Sequence, residues 1–215
     1  MLQVERAALR SGVSRLAGLD EAGRGPLAGP VVAAAIVFPA KMLRALPASL
    51  RDLNDSKQLS AKKREHLYEL LCTQKDLPFA VGILEADEID RLNILRATHQ
   101  AMACALSQLT PLPDLVLVDG LAVPGLPCPS QNEIKGDGRC LTIAAASILA
   151  KVTRDRIMCD LDRQYPQYGF ARHKGYGTLA HRQALATHGP CPAHRRSFAP
   201  VREALETTPG HLDRP

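Results

Sequence analysis

The chain has 215 residues, 46% of them hydrophobic, enough for one ordinary domain with a real core and too few for two large independent ones. Lys and Arg number 27 against 22 Asp and Glu, a formal net charge of +5 that favours a polyanionic partner and is spread along the chain rather than gathered in a tail. The N-terminus carries Glu5, Arg6, Arg10 and Arg15 where an export signal needs an apolar core, and the longest apolar run, residues 31–38, is too short to span a bilayer. The expectation is a cytoplasmic protein without a membrane segment. Its six cysteines, at 72, 104, 128, 140, 159 and 191, never take the Cys-x-x-Cys spacing of a zinc site or redox pair, and they read as reduced thiols.

Taken in chain order, residues 16–19 and 31–38 read as buried strands, rich in small and β-branched residues, forming a hairpin. The turn between them holds Asp20-Glu21-Ala22-Gly23-Arg24-Gly25-Pro26. A proline-rich basic segment then leads through Leu53-Asn54-Asp55-Ser56-Lys57 to a helix over 60–73, with Leu67, Leu70 and Leu71 on its apolar face. Residues 79–84 predict a third strand. Asp87, Glu88 and Asp90 read as helix-start charges, and a long helical pattern follows until Pro111 and Pro113 break it. Residues 115–118 predict a short buried strand with Asp119 at its C-terminal end, where open α/β sheets place their chemistry. Asp137 lies between glycines ahead of a helix over 142–163, and residues 164–205 read as helices and loops of a C-terminal lobe. The alternation predicts an α/β fold with a mixed sheet, and the last ten residues read as a frayed tail.

Four carboxylates, Asp20, Glu21, Asp119 and Asp137, therefore stand at element ends or in glycine-rich turns. Asp20 and Glu21 would point to opposite faces of a regular strand, so both serve one site only if the strand ends or bulges there. The same residues also make an ordinary polar turn. Clustered, such carboxylates raise one another's pKa and call for cations, and oxygen ligands select Mg²⁺ or Mn²⁺. Two such ions would clamp a phosphodiester during hydrolysis. Lys57, Lys135, Lys151, Arg154, Lys174, Arg195 and Arg196 are candidates to follow a nucleic-acid backbone, with polar residues such as Asn54 and Ser147 adding hydrogen bonds to phosphates. A binding module with a vestigial site and a small-molecule metal phosphatase are competing readings.

Five ordered blocks carry a family resemblance: Asp20-Glu21-Ala22-Gly23-Arg24-Gly25-Pro26-Leu27-Ala28-Gly29-Pro30; Leu53-Asn54-Asp55-Ser56-Lys57-Gln58-Leu59; Lys135-Gly136-Asp137; Ala144-Ala145-Ala146-Ser147-Ile148-Leu149-Ala150-Lys151-Val152-Thr153-Arg154-Asp155; and Tyr168-Gly169-Phe170 through His173-Lys174-Gly175-Tyr176-Gly177-Thr178. They resemble bacterial ribonuclease HII. The resemblance implies a ribonuclease H-like mixed sheet flanked by helices, in a single catalytic domain over 14–205 with the helical lobe from about 164 and the tail at 206–215. It implies an endoribonuclease that cleaves the RNA strand of RNA/DNA hybrids and nicks 5′ of a single ribonucleotide in duplex DNA. It places the metal ligands on Asp20, Glu21, Asp119 and Asp137, and the 2′-hydroxyl reader on Gly23, Arg24 and Gly25. The junction-sensing tyrosine falls on Tyr176, with Tyr168 as the competitor. Gly138-Arg139-Cys140 departs from the family pattern and touches metal affinity rather than ligand identity. The absence of a large N-terminal extension favours type HII over HIII, a monomer is expected, and no clamp-binding peptide is recognisable in the tail.

Overall fold

Small and β-branched residues fix the middle of the structure. In the computed structural model, whose described residues are 1–207, helix α1 (Gln3–Arg10) precedes strand β1 (Arg15–Ala22), which pairs antiparallel with β2 (Val31–Pro39). A short α2 (Ala40–Arg44) leads to α3 (Ala61–Thr73), whose N-cap Ser60 accepts from the Lys63 amide. Strand β3 (Phe79–Leu84), α4 (Ala86–Leu92), α5 (Ile94–Ser107) and β4 (Leu115–Asp119) follow, then β5 (Ser130–Glu133), the long α6 (Leu141–Gln164) and helices α7 (Phe170–His173), α8 (Leu179–His188) and α9 (Ala199–Thr207). The sheet runs β3-β2-β1-β4-β5, with β1 parallel to β4 and β4 parallel to β5. Residues 208–215, and with them most of the expected frayed tail, lie outside the described residues. Among those described, no helix is long and apolar enough to cross a membrane.

Two elements carry too little apolar signal to be read in the sequence. Helix α1 buries only Ala8 and the carboxyl of Glu5, which accepts from the amide and hydroxyl of Thr142 at 3.1 and 3.3 Å. That places a carboxylate at the positive end of α6, where the helix dipole favours it. Burial nonetheless raises the Glu5 pKa, ahead of the hydrogen bonds that lower it. Strand β5 is Ser-Gln-Asn-Glu, an exposed polar edge that satisfies β4 through its backbone alone.

The chain forms two compact units. The first comprises Met1–Ala22, Val32–Ile83 and Thr98–Val152, and the second comprises Gly23–Val31, Leu84–Ala97 and the chain from Thr153 onward. In the first, residues 143–150 of α6 are buried on every side, as expected of a helix that is apolar all round. They share a core with Leu16, Ile36, Phe38, Leu67, Leu71 and Leu117. Backbone meets backbone here: a Cβ on Gly18 would lie 2.1 Å from the carbonyl carbon and oxygen of Thr142. The second unit packs Tyr168 flat on Phe170, ring centroids 5.2 Å apart, in a cluster with Ala28, Met158 and Cys191. A smaller cluster joins Leu27, Leu185, Val201 and Ala204.

Replacing Gly18 by Ala forces either β1 or the start of α6 to move, since both obstructing atoms are main chain. The expected loss is about 1–3 kcal/mol in denaturant unfolding, and an unchanged unfolding midpoint would show that the two elements part easily.

Candidate active site

Strand pairing brings the carboxylates together. In the parallel β1/β4 ladder Leu19 is opposite Val118, so Asp20 and Asp119 follow side by side at the C-terminal ends of adjacent strands. Asp119 is in turn opposite Glu133 on β5, and the chain then turns through Lys135, in the left-handed conformation at φ 55°, into the tight turn Gly136–Gly138 that carries Asp137. Gly136 admits the turn because a Cβ there would meet the Ile143 side chain at 2.4 Å. One carboxylate oxygen from each of Asp20, Asp119 and Asp137 lies within 4.8 Å of the others.

Backbone amides orient all three. Asp20 accepts from the Glu21 amide at 2.7 Å, Asp119 from Gly136 at 2.7 Å and Asp137 from Gly138 at 2.9 Å. The Ser147 hydroxyl on α6 also donates to Asp20. Because that proton is committed, the buried Ser56 hydroxyl donates to the Ser147 oxygen, 2.7 Å away. Ser56 thereby ties the loop bearing Asn54 and Lys57 to the carboxylate site. In this loop the Asn54 side chain accepts from the Asp55 amide, and Asp55 accepts from that of Lys57. Lys151 is partly buried one helical turn beyond Ser147, on the same face of α6.

The electrostatics demand more positive charge than these residues provide. Burial, then repulsion from Glu21 and Asp119, raises the pKa of Asp20 well above the usual carboxylate range, against the hydrogen bonds from Glu21 and Ser147. Asp137 is raised by burial, Asp119 and Asp55, against Lys57 and the Gly138 amide. Lys57 stands 3.7 Å from Asp137 with a side chain 79% exposed, so solvent weakens its compensation. Burial lowers the Lys57 pKa, yet the surrounding Asp137, Asp20, Asp55 and Asp119 outweigh it and raise it. Three oriented, incompletely neutralised oxygen donors fit a hard divalent cation. Glu21 is adjacent in sequence but is not one of this triad, and β1 continues in regular register through Ala22 without a bulge; repulsion from Glu21 nonetheless acts on Asp20.

The second unit gathers the other candidates. Arg24 and Gly25 are exposed, and a Cβ on Gly25 would lie an ordinary 3.7 Å from the Tyr176 ring. Tyr176 is 47% exposed, whereas Tyr168 is 4% exposed and donates its hydroxyl to the Gly189 carbonyl at 2.7 Å. Only Tyr176 of this pair presents its ring to solvent. Its main chain is held by a histidine relay invisible in the sequence. The Tyr176 carbonyl accepts from Nδ1 of His181, whose Nε2 then accepts from Nε2 of His194 at 3.0 Å. Nδ1 of His194 accepts from the Cys191 amide and thiol. Both imidazoles are thus neutral; burial lowers the His181 pKa, and burial with His181 nearby pushes His194 down to about 4.

Two candidate phosphate contacts are corrected. Arg154 and Arg195 are 1% and 0% exposed, and their guanidinium groups donate inward to main-chain carbonyls rather than outward to a nucleic acid. The sequence offers no periodic signal that distinguishes these buried arginines from exposed Arg196. Lys174 is partly buried, its ammonium beside the Cys159 thiol at 3.1 Å. Asp90, read as a helix-start charge, also accepts from the amides of Arg196 and Ser197. All six cysteines are free thiols.

Comparison with known proteins agrees with this geometry. A family model described as Ribonuclease HII matches residues 17–201. The ribonuclease HII of Geobacillus kaustophilus (strain HTA426) is 53% identical over 210 residues, 97% of this chain and 77% of that protein. That of Paracoccus denitrificans (strain Pd 1222) is 55% identical over 203 residues, 94% of this chain and 93% of that protein. Among solved structures, the ribonuclease H2 from Pyrococcus horikoshii OT3 superposes with a TM-score of 0.74 at 30% identity, covering 89% of this chain and 97% of that one. The expected ribonuclease H-like α/β fold is therefore the observed one.

Millimolar Mg²⁺ or Mn²⁺ should raise the melting temperature of the wild type by mass action on the folded state. Asp20→Asn should melt no lower than the metal-free wild type, because it removes a raised-pKa carboxylate, and should lose the metal response. A wild-type melting temperature indifferent to both ions would contradict the metal assignment.

Proposed function

The chain belongs to the ribonuclease HII family, and on that premise we propose that this endoribonuclease of RNA/DNA hybrids also nicks duplex DNA 5′ of a single embedded ribonucleotide, leaving 5′-phosphate and 3′-hydroxyl ends. The observation that carries the reading is the aspartate triad, whose oxygens converge within 4.8 Å at the ends of two parallel strands. Asp20, Asp119 and Asp137 would hold Mg²⁺ or Mn²⁺, with Glu21 as a further ligand. Two bound ions would supply Lewis-acid charge at the phosphodiester and lower the pKa of the attacking water.

The chain's own residues then supply position and selectivity. Backbone amides and Ser147 aim the carboxylates, while Lys57 lies close enough to Asp137 to meet a phosphate oxygen beside the triad. Asn54 and Lys151 add phosphate contacts on the flanks of the site. In the second unit, Gly23, Arg24 and Gly25 read the 2′-hydroxyl and the adjoining backbone, and the exposed Tyr176 ring stacks on the sugar that follows the ribonucleotide. An all-DNA duplex leaves these donors unpaired, which is a stronger basis for rejection than shape alone. The protein acts as a cytoplasmic monomer on this reading.

End-labelled duplex DNA with one ribonucleotide should be cut on its 5′ side with Mg²⁺ or Mn²⁺, stay intact with chelator, and leave an all-DNA duplex untouched. Binding without cleavage would make the protein a binding module with a vestigial site. Gly25→Ala separates recognition from folding, because a methyl group there meets nothing closer than 3.7 Å within the protein. Its melting temperature should match the wild type while kcat/KM on the single-ribonucleotide duplex falls about tenfold or more, the cost of holding a nucleotide away from one hydrogen bond. Full activity in Gly25→Ala would mean that no backbone approaches the substrate there.

A further inference from the structure

The loop over residues 23–30 is shaped by one buried side chain. All five N–H groups of the Arg195 guanidinium end on its carbonyls: Nε on Gly29 at 3.0 Å, Nη1 on Arg24 at 3.0 Å and Pro26 at 2.8 Å, Nη2 on Gly23 at 2.6 Å and Pro30 at 3.1 Å. The Arg195 amide takes the Leu27 carbonyl at 2.9 Å, and Arg154 takes those of Ala28 and Pro30 at 3.1 and 2.9 Å. Seven of the eight carbonyls in the loop are therefore drawn toward two arginines. Gly23 has no alternative residue: its φ is +96°, and a Cβ would collide with Arg154 Nε at 2.0 Å.

In a trans peptide the carbonyl and the following N–H point in opposite directions. The loop shows this directly. The Pro26 and Ala28 carbonyls face the arginines, and the next amides, of Leu27 and Gly29, donate away from them to the Gly175 and Ala193 carbonyls at 2.8 Å each. By the same geometry, drawing in the Gly23 and Arg24 carbonyls turns the amides of Arg24 and Gly25 away from the guanidinium, the latter in the residue that lies against the Tyr176 ring. Two guanidiniums behind the loop also make its outer side favourable for an oxygen bearing negative charge.

We propose that Arg195 is a positioning residue for substrate selection: its five-donor fork aims the Arg24 and Gly25 amides at the ribonucleotide, without itself touching the nucleic acid. The inference rests on the reading of Gly23, Arg24 and Gly25 as the 2′-hydroxyl reader. Burial, with Arg154 close by, lowers the Arg195 pKa to about 9, which leaves it charged at neutral pH. A lysine would keep the charge but offer three donors from one point, unable to span carbonyls set around a planar fork.

The test compares kcat/KM on a duplex with one ribonucleotide against kcat/KM on a uniform RNA/DNA hybrid, where a misaimed loop still finds a 2′-hydroxyl in another register. R195K should lower this ratio about tenfold on folded protein, the cost of misplacing one hydrogen bond. R154K should lower the melting temperature yet keep the ratio, because Arg154 holds the Ala28, Pro30 and Lys174 carbonyls and not those of Gly23 or Arg24. A purely structural Arg195 predicts a lower melting temperature with the ratio unchanged, and that result overturns the proposal. A second measurement stands whether or not R195K folds. In ¹⁵N-labelled D137N protein, the Arg24 and Gly25 amide signals should shift with the ribonucleotide duplex and not with the all-DNA duplex. Amides that respond equally to both, or to neither, sink the inference. A wild type that fails to cut the single-ribonucleotide duplex instead defeats the proposed function itself.

Discussion

Mutual repulsion of buried carboxylates is the constraint around which the first unit is built. Asp20 and Asp137 are nearly sequestered from water, and with Asp119 they concentrate negative charge that an apolar interior alone would reject. The fold makes the cluster tolerable with amide donors from Glu21, Gly136 and Gly138 and the hydroxyl of Ser147. Delivering these donors requires close main-chain approach, hence Gly18 against Thr142 and Gly136 against Ile143. The apolar helix that fills the core is thus also what brings Ser147 to the aspartate triad.

The second unit solves the opposite problem. It buries two guanidiniums and solvates them with carbonyl dipoles, so that a loop with three glycines and two prolines acquires one conformation. Charge-assisted hydrogen bonds in a dry setting are strong and directional, and here they replace the side-chain packing that Gly23, Gly25 and Gly29 cannot provide. The neutral His181–His194 relay does for Tyr176 what the arginines do for the glycine loop. In each case a buried polar network fixes main-chain direction, and the exposed groups inherit their aim from it. The chain passes from the last strand residue of the first unit, Ala22, directly into Gly23 of the second.

Much of this was legible from residue types. The β-branched and small runs announced β1, β2 and β4, the N-cap Ser60 announced α3, and aspartates at strand ends or between glycines announced the triad. What escaped were elements without an apolar signature. Helix α1 puts a buried glutamate and few apolar side chains, Ala8 with Val4 and Leu9, against the core, and β5 is a polar edge strand. Arg154 and Arg195 were misread because a guanidinium that solvates carbonyls looks, in a sequence, like one that binds phosphate.

The sequence by itself determined the fold class, the family and the identity of the acidic cluster, because strand pattern, helix periodicity and ordered motifs are local properties of the chain. Only the tertiary structure decided that oxygens of Asp20, Asp119 and Asp137 converge within 4.8 Å, that Ser56 reaches the site through Ser147, and that Tyr176 rather than Tyr168 is exposed. Those outcomes depend on strand register and on which donors face which carbonyls across more than a hundred residues, as between Arg195 and Gly23. Burial makes such long-range pairings consequential, since leaving a buried polar or charged group unpaired is costly.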